Sequence, residues 1–336
     1  MHPLVSIITP CYNGEAYVDR YFQSILAQTY PNIELIFVND GATDNTEKIA
    51  LSYKDKLEEK GIIFKYIYKE NGGIASAINR GLPLVEGKYW IWPDSDDYLS
   101  PDSIEKRVEF LETYPDMHFC RTDSIAVDED TLEELYHIAQ ENDRKTKDIY
   151  LELILDHTYC TPGAYMVRFS TFKEFYPSLH IDQIGSGQDW QILLPFAAKY
   201  PCGYVEEGLY YYVVRSASLS HQERPLEAWL KKYGDFELLL YTLTEKIGRN
   251  DRDYKKIIDA KVLRTRIDLY VKFNKKKEAR ESHKALVKMG ECSLDYQAKY
   301  LKKFEPINYF FFKVKHRIKG AMIKVLRLFK GKNENS

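Results

Sequence analysis

The reading of the chain turns on Lys88-Tyr89-Trp90-Ile91-Trp92-Pro93-Asp94-Ser95-Asp96-Asp97. Residues 88–94 form a short β-rich run, and residues 94–97 put three carboxylates into four positions. Alternate carboxylates leaving a strand can converge on one hard cation. Mg2+ and Mn2+ prefer oxygen ligands, and two side chains leave coordination sites open for phosphate oxygens and water. The plain alternative is an acidic turn leading into the helix that Ser100-Pro101-Asp102 opens, with a serine cap and proline at the first helical position. What surrounds the cluster decides between them.

Upstream, three similar runs lie at 4–10, 33–40 and 62–68. Helical segments are predicted between them and after the cluster. In 16–28, Val18, Phe22, Ile25 and Leu26 fall at helical spacing. The segment 43–60 opens with the capping residues Asp44, Asn45 and Thr46, and continues with Ile49, Tyr53 and Leu57. A short helix at 74–82 and a longer one at 101–114 complete the set. Strand alternating with helix predicts an α/β fold with a mostly parallel, Rossmann-like sheet flanked by helices. Downstream the pattern loosens: a strand at 117–127, helices at 131–141 and 190–200, and a strand at 208–214. From 225 to 303 it is almost all helix. The expected organisation is an α/β domain over 1–222, a helical region over 223–304 and a tail over 305–336.

In an open α/β sheet, ligands bind beyond the carboxyl ends of the strands. The four strands are followed by Pro10-Cys11-Tyr12-Asn13-Gly14, by Asn39-Asp40-Gly41-Ala42-Thr43-Asp44, by Glu70-Asn71-Gly72-Gly73 and by Asp94-Ser95-Asp96-Asp97. Four polar or glycine-containing loops at one sheet edge point to a nucleotide-sized cleft, and in that setting the metal reading of the cluster is the stronger. Asp40 is placed to accept from a base N–H or a ribose hydroxyl; the alternative is a turn and helix cap, which Asp44 could supply instead. Asn71, Gly72 and Gly73 precede a helix and could offer backbone N–H groups to an anion. Neither the dinucleotide-binding glycine pattern nor the P-loop pattern occurs, which argues against NAD enzymes and P-loop NTPases.

With these residues in place, the chain resembles the family 2 inverting glycosyltransferases of the GT-A fold, of the bacterial polysaccharide type. The strings VSIITPCYNGEAYVDRYFQSILAQTYPNIELIFVNDGATDNT, NGGIASAINRG and PDSDDYLSPDSI carry the resemblance, closely over about residues 3–115 and loosely to about 221. It implies a nucleoside-diphosphate-sugar donor, most often a UDP-sugar, with Mg2+ or Mn2+ on the diphosphate. It also implies Asp40 at the base, Asp94 near the ribose and Asp96 as metal ligand. Pro10, Tyr12, Asn13, Asn71, Gly73 and Ser95 would line the donor site. Gly187-Gln188-Asp189-Trp190 resembles the motif whose aspartate is the general base, which assigns that role to Asp189. Arg215 and His221 fall where some members place groups facing the diphosphate and the metal. Asn39, Ala42, Ile78 and Gln188 depart from the frequent aspartate, serine, arginine and glutamate.

The implied chemistry is a single inverting displacement at the anomeric carbon. Asp189 would take the proton of an acceptor hydroxyl, and charge neutralisation at the departing diphosphate would carry much of the rate. The structural alternative for Asp189 is a cap for a helix starting at Trp190. The acceptor is expected to be a glycan or a lipid-linked saccharide.

The composition fits a globular protein of 336 residues, 44% hydrophobic and 29% charged. Five scattered cysteines form neither a metal-finger pattern nor a disulfide framework and read as reduced thiols of a cytoplasmic protein. No signal peptide and no spanning segment are read. The formal charge of −2 hides an asymmetry: residues 299–336 carry 11 Lys/Arg against 2 Asp/Glu, a formal +9. On a helical wheel Phe311, Val314, Ile318, Met322, Val325 and Phe329 share one face, the pattern of an amphipathic helix lying on an anionic membrane. A peripheral position on the inner membrane face is therefore expected, and no nucleic-acid partner, since the body is acidic. Among rival functions, a nucleotidyltransferase needs a basic glycine-rich loop after the first strand. A processive synthase needs spanning helices and a Gln-x-x-Arg-Trp motif. The remaining alternative is a non-catalytic nucleotide-sugar-binding or carbohydrate-binding scaffold protein, whose mark would be a damaged acidic cluster or a missing base.

Overall fold

The structure, a computed structural model, describes residues 2–183, 187–215, 223–249, 252–306 and 308–313. The first half alternates as predicted: β1 (Val5–Cys11), α1 (Val18–Leu26), β2 (Ile33–Asn39), α2 (Thr46–Ser52), α3 (Lys54–Glu59), β3 (Ile63–Tyr68), α4 (Ile74–Gly81) and β4 (Tyr89–Ile91). There follow β5 (Tyr98–Leu99), α5 (Ser103–Thr113), β6 (Phe119–Asp128), β7 (Glu134–His137), α6 (Glu141–Lys145), α7 (Tyr150–Ile154), β8 (Tyr165–Arg168), α8 (Phe169–Phe175), α9 (Gln188–Lys199) and β9 (Cys202–Val214). The helical region comprises α10 (Leu226–Ile247), α11 (Arg252–Lys272), α12 (Lys276–Lys288) and α13 (Leu294–Phe304).

The nine-stranded sheet has the order β3-β2-β1-β4-β8-β6-β9-β5, with β7 paired to β6. All pairings among β1 to β4 are parallel. β8 then inserts antiparallel between β4 and β6, and β6 runs parallel to β9. β1 and β2 are buried at every position, as strands covered on both faces must be. α1 covers one face with Val18, Tyr21, Phe22 and Ile25. Each such side chain contributes roughly 1.5–3 kcal/mol on burial. α4 lies so close to β1 that a Cβ on Gly81 would meet Ile8 Cγ2 at 2.9 Å.

The strand order positions the site. The chain steps outward from β1 to β2 to β3 and then returns to lay β4 on the other flank of β1. The loops after β1 and β4 therefore diverge, and a crevice opens at this switch point.

Two predicted elements differ. The segment 131–141 is not a helix: Asp128 Oδ1 accepts from the N–H groups of Asp130 (3.0 Å) and Thr131 (2.9 Å), the chain turns back, and β7 adds to β6. Pairing with an available strand edge outweighs helical propensity there. The predicted helix over 43–60 breaks at Tyr53 into α2 and α3.

By packing, the chain forms two compact units, Met1–Glu223 with Leu238–Arg249, and Arg224–Glu237 with Asn250–Ser336. In the second, Ala260, Ile267 and Leu286 form one core and Ala279, Tyr300, Leu301 and Phe304 another. Tyr309 and Phe312 pack onto the latter, whereas Phe310 and Phe311 stay exposed. None of the helices among the described residues is long and apolar enough to cross a membrane. The basic tail from residue 314 onward lies outside the described residues.

Candidate active site

The acidic cluster follows β4 and is fixed from the opposite side by β9. Two-residue β5 pairs antiparallel with β9, bringing Tyr98 onto Tyr211. Asp97 is consumed by this junction: its Oδ2 accepts from the Tyr210 hydroxyl at 2.6 Å and its Oδ1 from the Val213 N–H at 2.8 Å. Burial, then the charge of Asp96, pushes its pKa up to about 8, against the pull of the two hydrogen bonds. Asp97 thus ties the cluster to the sheet and leaves the other two carboxylates to face the crevice.

Asp96 pairs with Arg215, whose guanidinium lies 4.7 Å over the Tyr17 ring. The Asp96 carbonyl accepts from Arg20 Nη2 at 3.0 Å. The carboxylate of Asp94 receives no hydrogen bond among the described residues, although its backbone carbonyl accepts from the Asp97 N–H at 3.4 Å. Burial raises its pKa well above the usual carboxylate range, and the charges of Asp96, Asp97 and Asp189 add to the shift. One carboxylate oxygen from each of Asp94, Asp96 and Asp97 lies within 4.8 Å of the others. A pocket of negative charge with one unpartnered carboxylate fits a divalent cation, which would relieve the repulsion. Asp94 and Asp96 are the residues with oxygens to offer it.

Asp189 comes from α9, between β8 and β9 in the chain. Gly187, in the left-handed region at φ +96°, caps α9, so Asp189 is the second residue of the helix and does not cap it. The cap alternative raised by the sequence is thereby corrected. Asp189 Oδ1 accepts from Trp92 Nε1 at 2.9 Å and Oδ2 from Gln188 Nε2 at 3.1 Å. Burial nevertheless prevails over the Trp92 donor and pushes its pKa up to about 6. The charge of Asp189 is in turn felt by Asp94, so the two carboxylates belong to one electrostatic site.

The donor-side loops are stitched to one another. Asn13, at φ +51°, accepts from the Thr43 N–H at 2.9 Å through Oδ1. Asp44 Oδ1 accepts from the Thr46 N–H at 3.0 Å and its Oδ2 from the Glu15 N–H at 2.9 Å, so Asp44 does supply the turn after β2. Asp40 is buried and accepts from Lys69 Nζ, from the Gly72 N–H at 3.1 Å and from the Gly73 N–H at 2.8 Å. The N–H groups that the sequence offered to an external anion are thus turned onto the Asp40 carboxylate. Gly73, at φ +83°, starts α4, and Asn71 is exposed beside it. Pro10 is buried on β1, Tyr12 is exposed, and Ser95 is buried against the Cys11 thiol. His221 lies outside the described residues.

The model of the family described as "Glycosyl transferase family 2" matches residues 6–175. The chain belongs to glycosyl transferase family 2. Its matched half is a glycosyltransferase domain, an enzyme domain by family. An uncharacterized glycosyltransferase of Rickettsia prowazekii is 51% identical over 109 residues, covering 32% of this chain and 32% of that protein. The putative teichuronic acid biosynthesis glycosyltransferase TuaG of Bacillus subtilis is 40% identical over 109 residues, 32% of this chain and 42% of TuaG. These matches thus span less than half of each curated relative. In three dimensions the chain is similar to S. aureus TarS 1–349 in complex with UDP-GlcNAc. The TM-score is 0.62 at 18% identity, over 94% of this chain and 92% of that one. It is also similar to the mannosyltransferase PcManGT of Pyrobaculum calidifontis in complex with GDP-Man and Mn2+. There the TM-score is 0.52 at 15% identity, over 97% and 88% of the two chains. At such identities the likeness shows the fold, which is GT-A.

Sequence reasoning missed Trp92, which reads as one more aromatic of a buried strand, and Lys69, Tyr17 and Arg20, which carry no motif. Tyr210 stands in the run Tyr210-Tyr211-Tyr212, which carries no motif. Its signal would have been the pairing of β5 with β9, which no local pattern encodes.

Proposed function

We propose that the chain transfers a sugar, with inversion, from a nucleoside-diphosphate-sugar to a hydroxyl of a glycan or lipid-linked saccharide, with Asp189 as general base. The observation that carries this reading is that Asp189, on α9, accepts from the indole N–H of Trp92, two residues before Asp94 in the segment after β4, so that the two carboxylates gather at one site. A carboxylate whose pKa is raised to about 6 is a better base toward an alcohol than an ordinary aspartate and is still ionised at neutral pH. Asp94 and Asp96 would hold Mg2+ or Mn2+. Once bound, such an ion acts as a Lewis acid on a departing diphosphate. Arg215, paired with Asp96, would face the same diphosphate. The UDP-GlcNAc bound by the structurally similar TarS supports a UDP-sugar as the donor class. TuaG, named for teichuronic acid biosynthesis, supports a glycan as the acceptor class.

We further propose, from the basic amphipathic tail and the exposure of Phe310 and Phe311 at its described start, that the protein docks peripherally on anionic membrane. In domain terms, residues 1–222 carry catalysis, 223–304 form a helical region and 305–336 the docking tail.

The test of the central reading is a thermal-shift screen of nucleotide-sugars with and without Mn2+, followed by transfer assays. One donor class should stabilise the protein only when the metal is present, and Asp96→Ala should abolish that stabilisation. Equal stabilisation by UDP with and without metal would refute the metal assignment, and no stabilisation by any donor would refute the function.

A further inference from the structure

Trp92 is 1% exposed and its ring packs 4.9 Å from that of Trp90. By position it is a core residue just beyond β4, in the segment that carries Asp94. Its indole N–H, however, is spent on the carboxylate of Asp189, 97 residues away. A packing requirement does not explain that bond. In the same aromatic cluster the Nε1 of Trp90 is buried with no hydrogen-bond partner. The fold therefore tolerates an unpaired indole N–H here, and the one that is paired is paired to the proposed base.

The geometry is that of a clamp. Asp189 Oδ1 is held by an indole that cannot rotate away, because its ring is locked in the core. Oδ2 is held by the more exposed Gln188 amide at 3.1 Å. Trp92 is also two residues from Asp94, so one strand end fixes both the base and the donor-side carboxylate. We propose that Trp92 is a positioning residue for catalysis: its indole N–H sets the orientation of the Asp189 carboxylate relative to Asp94. This rests on Asp189 being the general base.

Two effects follow from deleting the N–H alone, as in Trp92→Phe. The carboxylate loses the anchor on Oδ1, and a misaligned base costs up to about a hundredfold in rate. The ionised form also loses a donor that favoured it. The hydrogen bond from Trp92 lowers a pKa that burial has raised, so the acid limb of the rate profile should move upward by about one pH unit. Asp94 and the Cys160 thiol both feel the charge of Asp189. Neither touches Trp92 through a hydrogen bond among the described residues.

The experiment compares Trp92→Phe with Trp90→Phe, using the donor selected by the thermal-shift screen. Trp92→Phe should lower kcat about ten- to hundredfold with the donor KM unchanged, and should shift the acid limb upward. Trp90→Phe makes the same ring change without removing a hydrogen bond, and should leave the profile in place. Equal behaviour of the two variants, or an unshifted profile in Trp92→Phe, overturns the proposal. A measurement on the unaltered protein guards against misfolding. The Trp92 indole 15N–1H resonance, one of four in the chain, should titrate with a midpoint near pH 6, and Asp189→Asn should abolish the titration. A resonance insensitive to pH overturns the proposal as well. Failure of the underlying reading has a separate signature, namely normal turnover by Asp189→Asn.

Discussion

Asp189→Asn should abolish transfer and at the same time stabilise the protein. The ordinary aspartate value is 3.8 and burial lifts that of Asp189 to about 6. The folded state thus binds this proton more tightly than the unfolded chain does. Its contribution is fully favourable below the unfolded value and is lost as pH rises through the folded one. A displacement of about two units corresponds to about 3 kcal/mol. Because the residue is only partly buried as a whole, solvent screening reduces this to about 1.5 kcal/mol. Asparagine is uncharged throughout, keeps an oxygen for the Trp92 N–H, and escapes the penalty. At about 2–4 °C per kcal/mol for a unit of this size, the variant should melt about 3–6 °C above the parent at pH 8. The gap should open between about pH 4 and pH 7 and stay constant above. The assay is paired thermal melts across that range, alongside transfer at neutral pH. A variant that melts lower than the parent at every pH, or a gap that does not change with pH, would refute the reasoning about the buried charge. Undiminished turnover would remove Asp189 as the base.

Asp97→Leu should cost about 2–4 kcal/mol, because the Tyr210 hydroxyl and the Val213 N–H lose their acceptor. Asp97→Asn should cost less than about 1 kcal/mol. It should also remove the decline in stability expected between the ordinary carboxylate range and about pH 8, above which stability levels off; urea titrations at pH 5 and pH 8 measure both. Gly41→Ala places a Cβ 2.6 Å from the Asn71 backbone nitrogen at φ +76°. It should cost about 1–3 kcal/mol and weaken donor binding by calorimetry; an unchanged affinity would show that the 70–73 loop does not shape the donor site. Finally, flotation with anionic liposomes should carry the full chain but not a truncation after Lys303. Equal flotation of both would sink the membrane proposal.

The parallel half of the fold was legible because its determinants are local. Buried runs such as IELIFVN and the amphipathic spacing of Val18, Phe22 and Ile25 specify strand and helix within a dozen residues. The loops that follow these strands must then share an edge, so the crevice and the cluster Asp94–Asp97 could be read together. The segment 131–141 was misread because its helical propensity is local, whereas the open edge of β6 that recruits it is not. A signal was present in the acidic turn 128–131, which closes a hairpin more readily than it opens a helix.

The division of labour within the cluster was hidden for the same reason, and it matters more. Spacing treats Asp94, Asp96 and Asp97 as near equivalents. They are separated only by partners brought from far along the chain: Tyr210, 113 residues beyond Asp97, and Arg215, 119 residues beyond Asp96. The Asp94 carboxylate keeps no hydrogen-bond partner among the described residues, and so its charge is the one left for a ligand to satisfy. The same logic applies to Asp189, whose motif names a candidate but whose basicity comes from burial, against the pull of the Trp92 indole that orients it. Motifs can mark which carboxylates gather at a GT-A crevice. The long-range pairings of β5 with β9 and of Trp92 with Asp189 determine which of them is a brace, which awaits a ligand and which can take a proton.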